Sequence, residues 1–449
     1  MIKMKNKQFL TVLLLSFLTG GIILAQESSS ELTLSLKEAQ EYAIMNNKAV
    51  KSARFDLEAS RIAVWETISA GLPHVNASGS FIDNLQLRTM LMDGKFFQDT
   101  TGKKHPIRFG STYNTTFGIE ASLLLFSAPY YVGLESVKLA TKMTEKNVQK
   151  TEIDTKEAVI SAYYLTLVSE ESIRILDGNI ANLNETLKST RAMYSAGMAE
   201  STDIDQMVSN VTMMQNTRSS MERTIELNYN MLRFQLGVQA GTTIKLTETL
   251  RSITETINVE ALLNQEFDYS GNINYKLIAD QEKLSSLTLK SKKAAVLPTL
   301  AGFYSYSKEG QGDKISQQDW FPTSMAGLQL SIPILSSGAR SAAIKKAEIN
   351  LLKARNSKEM VTDQLLLQEN QLKYNLVSAN QQYNSQKDNI EVSKRVYTSM
   401  ENKFRQGMAS SLDLTQANSL YLQAENNYIS ALMNLLQTKL ALDKLLNNM

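Results

Sequence analysis

Tyr194-Ser-Ala-Gly197-Met198-Ala199-Glu200-Ser201-Thr202-Asp203-Ile204-Asp205-Gln206 returns 210 residues later as Phe404-Arg-Gln-Gly407-Met408-Ala409-Ser410-Ser411-Leu412-Asp413-Leu414-Thr415-Gln416. In each copy a glycine stands where a helix can end, because glycine alone enters the left-handed region at little cost. Ser or Thr with Asp close behind then restarts a helix, since short oxygen side chains satisfy the free N–H groups of a first turn. Each copy therefore predicts helix, tight turn, helix. One such turn is an ordinary connection. Two at a fixed period predict an internally duplicated chain.

The flanks support the duplication. Upstream of the first tip, Pro129 to Tyr194 keeps a helical pattern for about 66 residues, on the order of 100 Å of helix. Ile173, Ile180, Leu187 and Tyr194 lie seven apart, the repeat of a coiled coil. Ala339 to Phe404 repeats this: Tyr383, Ile390, Tyr397 and Phe404 stand 210 residues after those four positions. A helix of about 35 residues is expected after each tip, and one of about 22 before each strand region. Two short helices end to end would then run beside each long one.

Between these helices the period changes to two. Val75, Ala77, Gly79 and Phe81 alternate with Asn76, Ser78 and Ser80; Tyr113, Phe117, Ile119, Ala121, Leu123 and Leu125 alternate with Asn114, Thr116, Glu120 and Ser122. Leu300, Gly302, Tyr304 and Tyr306, then Ala326, Leu328, Leu330 and Ile332, do the same in the second half. Four strands with one apolar and one polar face are predicted. The polar, Gly-containing stretches at about 83–111 and 307–321 are expected as loops. A soluble sandwich fits four strands and very long polar helices poorly. A lipid-facing barrel fits better, with aromatics such as Phe109, Tyr113, Tyr306, Trp320 and Phe321 near strand ends. Four strands cannot close in lipid, so several chains must share one barrel. Two chains would give eight strands and three would give twelve.

The expected divisions are a leader at 1–25, a first repeat at 26–237, an irregular segment at 238–258 and a second repeat at 259–449. The first repeat holds a strand pair near 75–125 and a tip near 197; the second holds a strand pair near 299–334 and a tip near 407. The leader rests on Lys3, Lys5 and Lys7 followed by an apolar run from Phe9 to Leu24, with Ala25 at the cut. A retained membrane anchor is the lesser reading, because the run is short and carries Thr19, Gly20 and Gly21. Removing those three lysines from the 47 basic residues leaves 44 against 45 acidic ones, so no nucleic-acid partner is expected. With no cysteine in the chain, disulfides, thiolate metal sites and a lipidated cysteine are not expected.

No enzyme motif stands out. His74 lies at a strand start and His105 in a polar stretch, and Gly310-Gln-Gly312 is a lone turn signal. Neither a metal nor a cofactor is expected, and the methionines read as helix packing. The rival to a membrane channel is a secreted coiled-coil structural or adhesive protein without transport activity. That reading accounts for the heptads but not for strand pairs placed alike in both halves.

The assembled pattern resembles the TolC family of outer-membrane efflux proteins over the whole mature chain. The motifs that carry it are Leu34-Ser-Leu-Lys-Glu-Ala39, Asn47 and Asn272, the pairs Leu72-Pro73 and Leu297-Pro298, Pro333-Ile-Leu-Ser-Ser-Gly338-Ala-Arg340 and the two tips. The resemblance implies a mainly α fold with a small β part. Long coiled-coil hairpins form a periplasmic tunnel, and four strands per chain enter a trimeric 12-stranded barrel in the outer membrane of a Gram-negative bacterium. It implies a homotrimer that passes cargo from an inner-membrane pump and a periplasmic adaptor protein, in efflux or type I secretion, without enzymatic activity. It puts the adaptor contact at Gly197, Met198, Ala199, Gly407, Met408 and Ala409. It puts a periplasmic gate at Asp413, Gln416, Asp203, Gln206, Tyr194 and Phe404. Helix capping is the plain alternative for both aspartates. Gln416 and Ala409 stand where many members carry a second acid and a basic residue. The expected channel therefore prefers cations and is closed by packing around Tyr194 and Phe404 more than by ion pairs.

Overall fold

The computed structural model describes residues 31–93 and 104–449; the leader expected at 1–25 lies outside them. The chain begins with strand β1 (Glu31–Leu34), then α1 (Leu36–Asn46) and α2 (Lys48–Ser69). Strands β2 (His74–Asp83), β3 (Arg88–Asp93), β4 (Lys104–Phe109) and β5 (Tyr113–Phe126) follow. Helices α3 (Ala128–Ser195) and α4 (Ser201–Leu236) make the first hairpin. Strand β6 (Thr243–Leu246), short helices α5 (Leu250–Glu255) and α6 (Val259–Asn264), and α7 (Ile273–Ala294) come next. Strands β7 (Thr299–Lys314) and β8 (Gln317–Ser331) precede the second hairpin, α8 (Ala339–Arg405) and α9 (Ser411–Leu445).

Corresponding elements have nearly equal lengths. Helices α3 and α8 have 68 and 67 residues, α4 and α9 have 36 and 35, and α2 and α7 have 22 each. A helix of that greatest length spans about 100 Å. Helix α3 packs against α2, α4 and α7, and α8 against α7 and α9. The helices thus lie side by side as the α2/α4 stack, α3, the α7/α9 stack and α8.

One asparagine joins each stack. The Asn47 side-chain oxygen accepts from the backbone N–H of Ala49 at 2.8 Å and caps α2, while its amide donates to the Gln235 carbonyl at 2.7 Å in the last turn of α4. Asn272 caps α7 through Asn274 at 2.9 Å and reaches the Leu445 carbonyl of α9 at 3.5 Å. Gly237 ends α4 with φ +73°, and a Cβ there would meet the Asn46 carbonyl oxygen at 2.5 Å, so the close approach of the two helix ends needs glycine.

The main core lies at this junction. Ala39, Ala43, Val159, Tyr163, Leu232, Leu236, Leu432 and Leu436 are buried together. Ser35 and Glu38 form a capping box that starts α1. The segment expected as irregular at 238–258 is not so: β6 pairs in parallel with β1, Glu31 to Leu34 against Thr243 to Leu246, and Thr249 caps α5. The strand is not legible locally because its partner lies more than 200 residues away.

The large sheet has the order β2-β5-β7-β8, antiparallel throughout. Its register puts Val75, Ala121, Tyr304 and Ala326 in one cross-strand row and Asn76, Glu120, Ser305 and Met325 in the next, on the opposite face. Phe117 stacks on Trp320 on the apolar face at 6.0 Å between ring centroids.

Both loop expectations need correction. At 307–321, β7 runs to Lys314 and β8 starts at Gln317, leaving Ile315 and Ser316 as the turn. Polar side chains there say nothing against a ladder whose backbone groups pair with each other. At 83–111, β3 and β4 form a separate antiparallel hairpin, Arg88 opposite Phe109 and Asp93 opposite Lys104. Its six-residue strands carry glycine and proline nearby, which hid the alternation of Met90, Met92 and Ile107.

Candidate functional site: the paired hairpin tips

Each tip ends its long helix in the same way. The Gly197 N–H bonds to the Tyr194 carbonyl at 2.9 Å and the Met198 N–H to the Met193 carbonyl at 2.8 Å. Gly407 and Met408 repeat these bonds to Phe404 and Lys403 at 2.9 and 2.8 Å. Both glycines are left-handed, φ +76° and +72°. A six-to-one backbone bond closed by a left-handed glycine satisfies the last free carbonyls of the helix. It also turns the chain tightly enough to leave the following methionine in solvent. Met198 and Met408 are 72% and 70% exposed, while Ala199 and Ala409 are half-buried.

The restart differs between the copies. In the second tip Ser410 is the cap: its hydroxyl accepts from the Asp413 N–H at 3.1 Å and donates to Asp413 Oδ2 at 2.7 Å, and the Ser410 N–H donates to the same oxygen at 3.0 Å. These bonds, the hydroxyl first, hold the Asp413 carboxyl below its ordinary range. In the first tip Glu200 stands at the cap position, and its N–H donates to Asp203 Oδ2 at 2.9 Å. Asp203 Oδ1 accepts the Ser411 hydroxyl. The two aspartates therefore share a capping role, and Asp203 also bonds one tip to the other.

A polar seam continues up from this contact. Gln206 donates to Asn210 at 3.3 Å, and Asn210 donates to Thr415 of the other hairpin at 3.2 Å. Further along, the Asn179 amide of α3 donates to Glu425 Oε2 of α9 at 2.7 Å. Both residues are buried, and burial pushes the Glu425 carboxyl above its ordinary range against the pull of Tyr421, Asn179 and Lys394. The tips enclose a cleft of about 460 Å³ lined by Met193, Met198, Glu200, Asp203, Phe404 and Ser411.

Of the residues expected at a gate, Asp203, Gln206, Asp413 and Gln416 all lie at this end of the molecule, and Asp413 and Gln416 are exposed. Tyr194 is 49% exposed. Phe404 is buried with Tyr397, Leu414 and Ala417 inside the second hairpin, where its ring holds α8 to α9 beside the cleft between the tips. The seam residues Asn179 and Glu425 were missed. The signal available was the seven-residue spacing of Asn418, Glu425 and Leu432, which puts two polar residues in line with a buried leucine. His74 and His105 lie on different sheets. No group of three or more metal-ligating side chains occurs among the described residues.

The model of a protein family described as "Outer membrane efflux protein" matches residues 40–238 and 284–448. "Proteases secretion protein PrtF" of Dickeya chrysanthemi is 22% identical over 334 residues, covering 73% of this chain and 69% of that protein. Among solved structures, CusC superposes with a TM-score of 0.70 at 15% identity, over 92% of this chain and 91% of that one. The outer membrane protein VceC from Vibrio cholerae gives 0.68 at 12% identity, over 92% and 95%. At such identities the likeness is one of fold. The family match extends over both hairpins and both tips, and with it the sequence, the helical stacks and the four-stranded sheet agree: the chain belongs to the outer membrane efflux protein family and is an outer-membrane channel protein of that kind.

Proposed function

We propose that three copies of this chain share one 12-stranded barrel and one helical tunnel, through which cargo leaves the periplasm. The observation that carries this reading is the open sheet: among the described residues β2 and β8 are unpaired edges, and its apolar face exposes Phe117, Ile119, Tyr304 and Leu328. An open edge in lipid costs several kcal/mol for each unsatisfied backbone group. Because the four strands alternate in direction, β8 of one copy meets β2 of the next antiparallel, and a ring of such head-to-tail contacts closes. The outer helices support the same ring. On α2, Phe55, Ile62 and Trp65 are exposed; on α8, Leu352, Met360, Leu367 and Tyr374 are. In the ring, the α2 edge of one copy lies beside the α8 edge of the next.

The near-equal lengths of the two halves support an internal structural repeat, and with it six hairpin tips around the periplasmic mouth. Met198 and Met408, with Gly197, Ala199, Gly407 and Ala409, form the surface for a periplasmic adaptor protein that links the channel to an inner-membrane pump. Asp413, Gln416, Asp203, Gln206 and Tyr194 line the mouth. Efflux of small compounds and secretion of polypeptides both use such a conduit, and the likeness to a protease secretion protein supports the second. Mass measurement of the detergent-solubilised protein is expected to give three chains. A stable monomer or dimer overturns the shared barrel.

A further inference from the structure

The register of the large sheet arranges charge on its polar face in a way the tips do not explain. Asn76, Glu120, Ser305 and Met325 form one cross-strand row near the middle of β5. Ser80, Thr116, Glu309 and Phe321 form another nearer the β7–β8 turn, and Ile82, Asn114, Gln311 and Asp319 the next. From His74 to Ile82, Asn114 to Leu124, Ala301 to Gln311 and Asp319 to Gln329, this face holds three carboxylates and no lysine or arginine. The lysine within this paired length, Lys308, lies on the apolar face between Phe117 and Pro322. None of Glu120, Glu309 and Asp319 has an ion-pair partner among the described residues.

We infer that the Glu120 row, with Glu309 and Asp319 beyond it, makes the barrel lumen select for cationic solutes at the level of the outer membrane, separately from the periplasmic mouth. This rests on the three-chain barrel proposed above. In that barrel the polar face points inward, and each row contributes three equivalent carboxylates or their neutral partners. Twelve strands about 4.8 Å apart and tilted by about 40° give a backbone ring of about 12 Å radius. Side chains reduce the water-filled radius to well under that, which is no more than the screening length of about 8 Å at physiological ionic strength. Fixed charges on the wall therefore act across the whole cross-section, and low-dielectric walls concentrate their field. Cations gain and anions lose in passing, with no binding site required. Cargo of positive charge, whether a small organic cation or a basic polypeptide segment, is the class this lumen favours.

The test is the reversal potential of single channels in planar bilayers under a potassium chloride gradient, with protein whose trimeric mass has been established. The wild type is expected to prefer potassium to chloride. Glu120→Gln is expected to lower the permeability ratio by about twofold or more at 0.1 M salt, and by less at 1 M, where the screening length falls to about 3 Å. Ser305→Lys, which adds a cation beside an intact Glu120, is expected to lower it further and answers the question should loss of Glu120 disturb assembly. Trimeric, conducting channels with the wild-type ratio in both variants overturn the lumen filter and leave the shared barrel standing. Absence of a trimer overturns the barrel, and the filter with it.

Discussion

Two carboxylates on α9 show how burial changes what one side-chain type does. Asp413 is exposed, and Ser410 bonds its Oδ2 and not its Oδ1. Its lowered pKa means that the cap is fully present above about 3.8, the ordinary aspartate value, and is lost as pH falls through the folded value. Glu425 has the opposite sign. Its pKa is raised from 4.5, so the folded state binds a proton that the unfolded chain has released, and stability falls as pH rises from 4.5 through the folded value. Around it, α3 supplies Asn179, α8 supplies Lys394, and α9 itself supplies Tyr421, whose own hydroxyl also feels Glu391 of α8. The Glu425→Gln variant keeps an acceptor for Asn179 and removes the buried charge. Thermal unfolding followed across this acidic range is expected to show a higher melting temperature than wild type at neutral pH and a flattened acid-side dependence. An unchanged pH slope would mean that Glu425 titrates as a solvated group.

At the scale of elements, the question is how a helix of 22 residues and one of 36 act as one beam beside α3. A break in the backbone leaves free N–H groups on one side and free carbonyls on the other. Asn47 meets both needs with one side chain, and Asn272 does so in the second stack at a longer distance. The Asn47→Ala variant loses a helix cap and leaves the half-buried Gln235 carbonyl without this partner, a cost of about 2 kcal/mol. Asn272→Ala is expected to cost less, because its bond to the Leu445 carbonyl is at the limit of hydrogen bonding. Denaturant midpoints of the two variants rank these joints. Equal losses would remove the inter-helix bond from the explanation and leave capping alone.

For the whole molecule, the sheet and the tips lie at opposite ends of helices about 100 Å long. In the proposed barrel the apolar sheet face meets lipid, and the tips stand far from it, where a soluble partner can reach them. Substituting the tip glycines confuses contact with strain, since both have positive φ. The exposed methionines avoid this. The double variant Met198→Glu, Met408→Glu is expected to abolish efflux and capture of the adaptor while the trimer and its membrane insertion persist. Normal efflux would remove the methionines from the adaptor surface.

The sequence alone determined the parts whose cause is local. Seven-residue spacing specified the long helices, alternation specified the four large strands, and Gly197 and Gly407 specified the tips, because each signal depends on neighbours within a few turns of chain. Tertiary structure decided whatever depends on a partner far away. Strand β6 is a strand because β1 offers its edge. Phe404 is a core residue because α9 covers it, although Tyr194 at the matching position stays exposed. Asp203 joins two hairpins because Ser411 comes within reach of its free oxygen, and burial among packed helices pushes the Glu425 carboxyl above its ordinary range. Burial and long-range pairing belong to the packed chain, and no stretch of sequence carries them by itself.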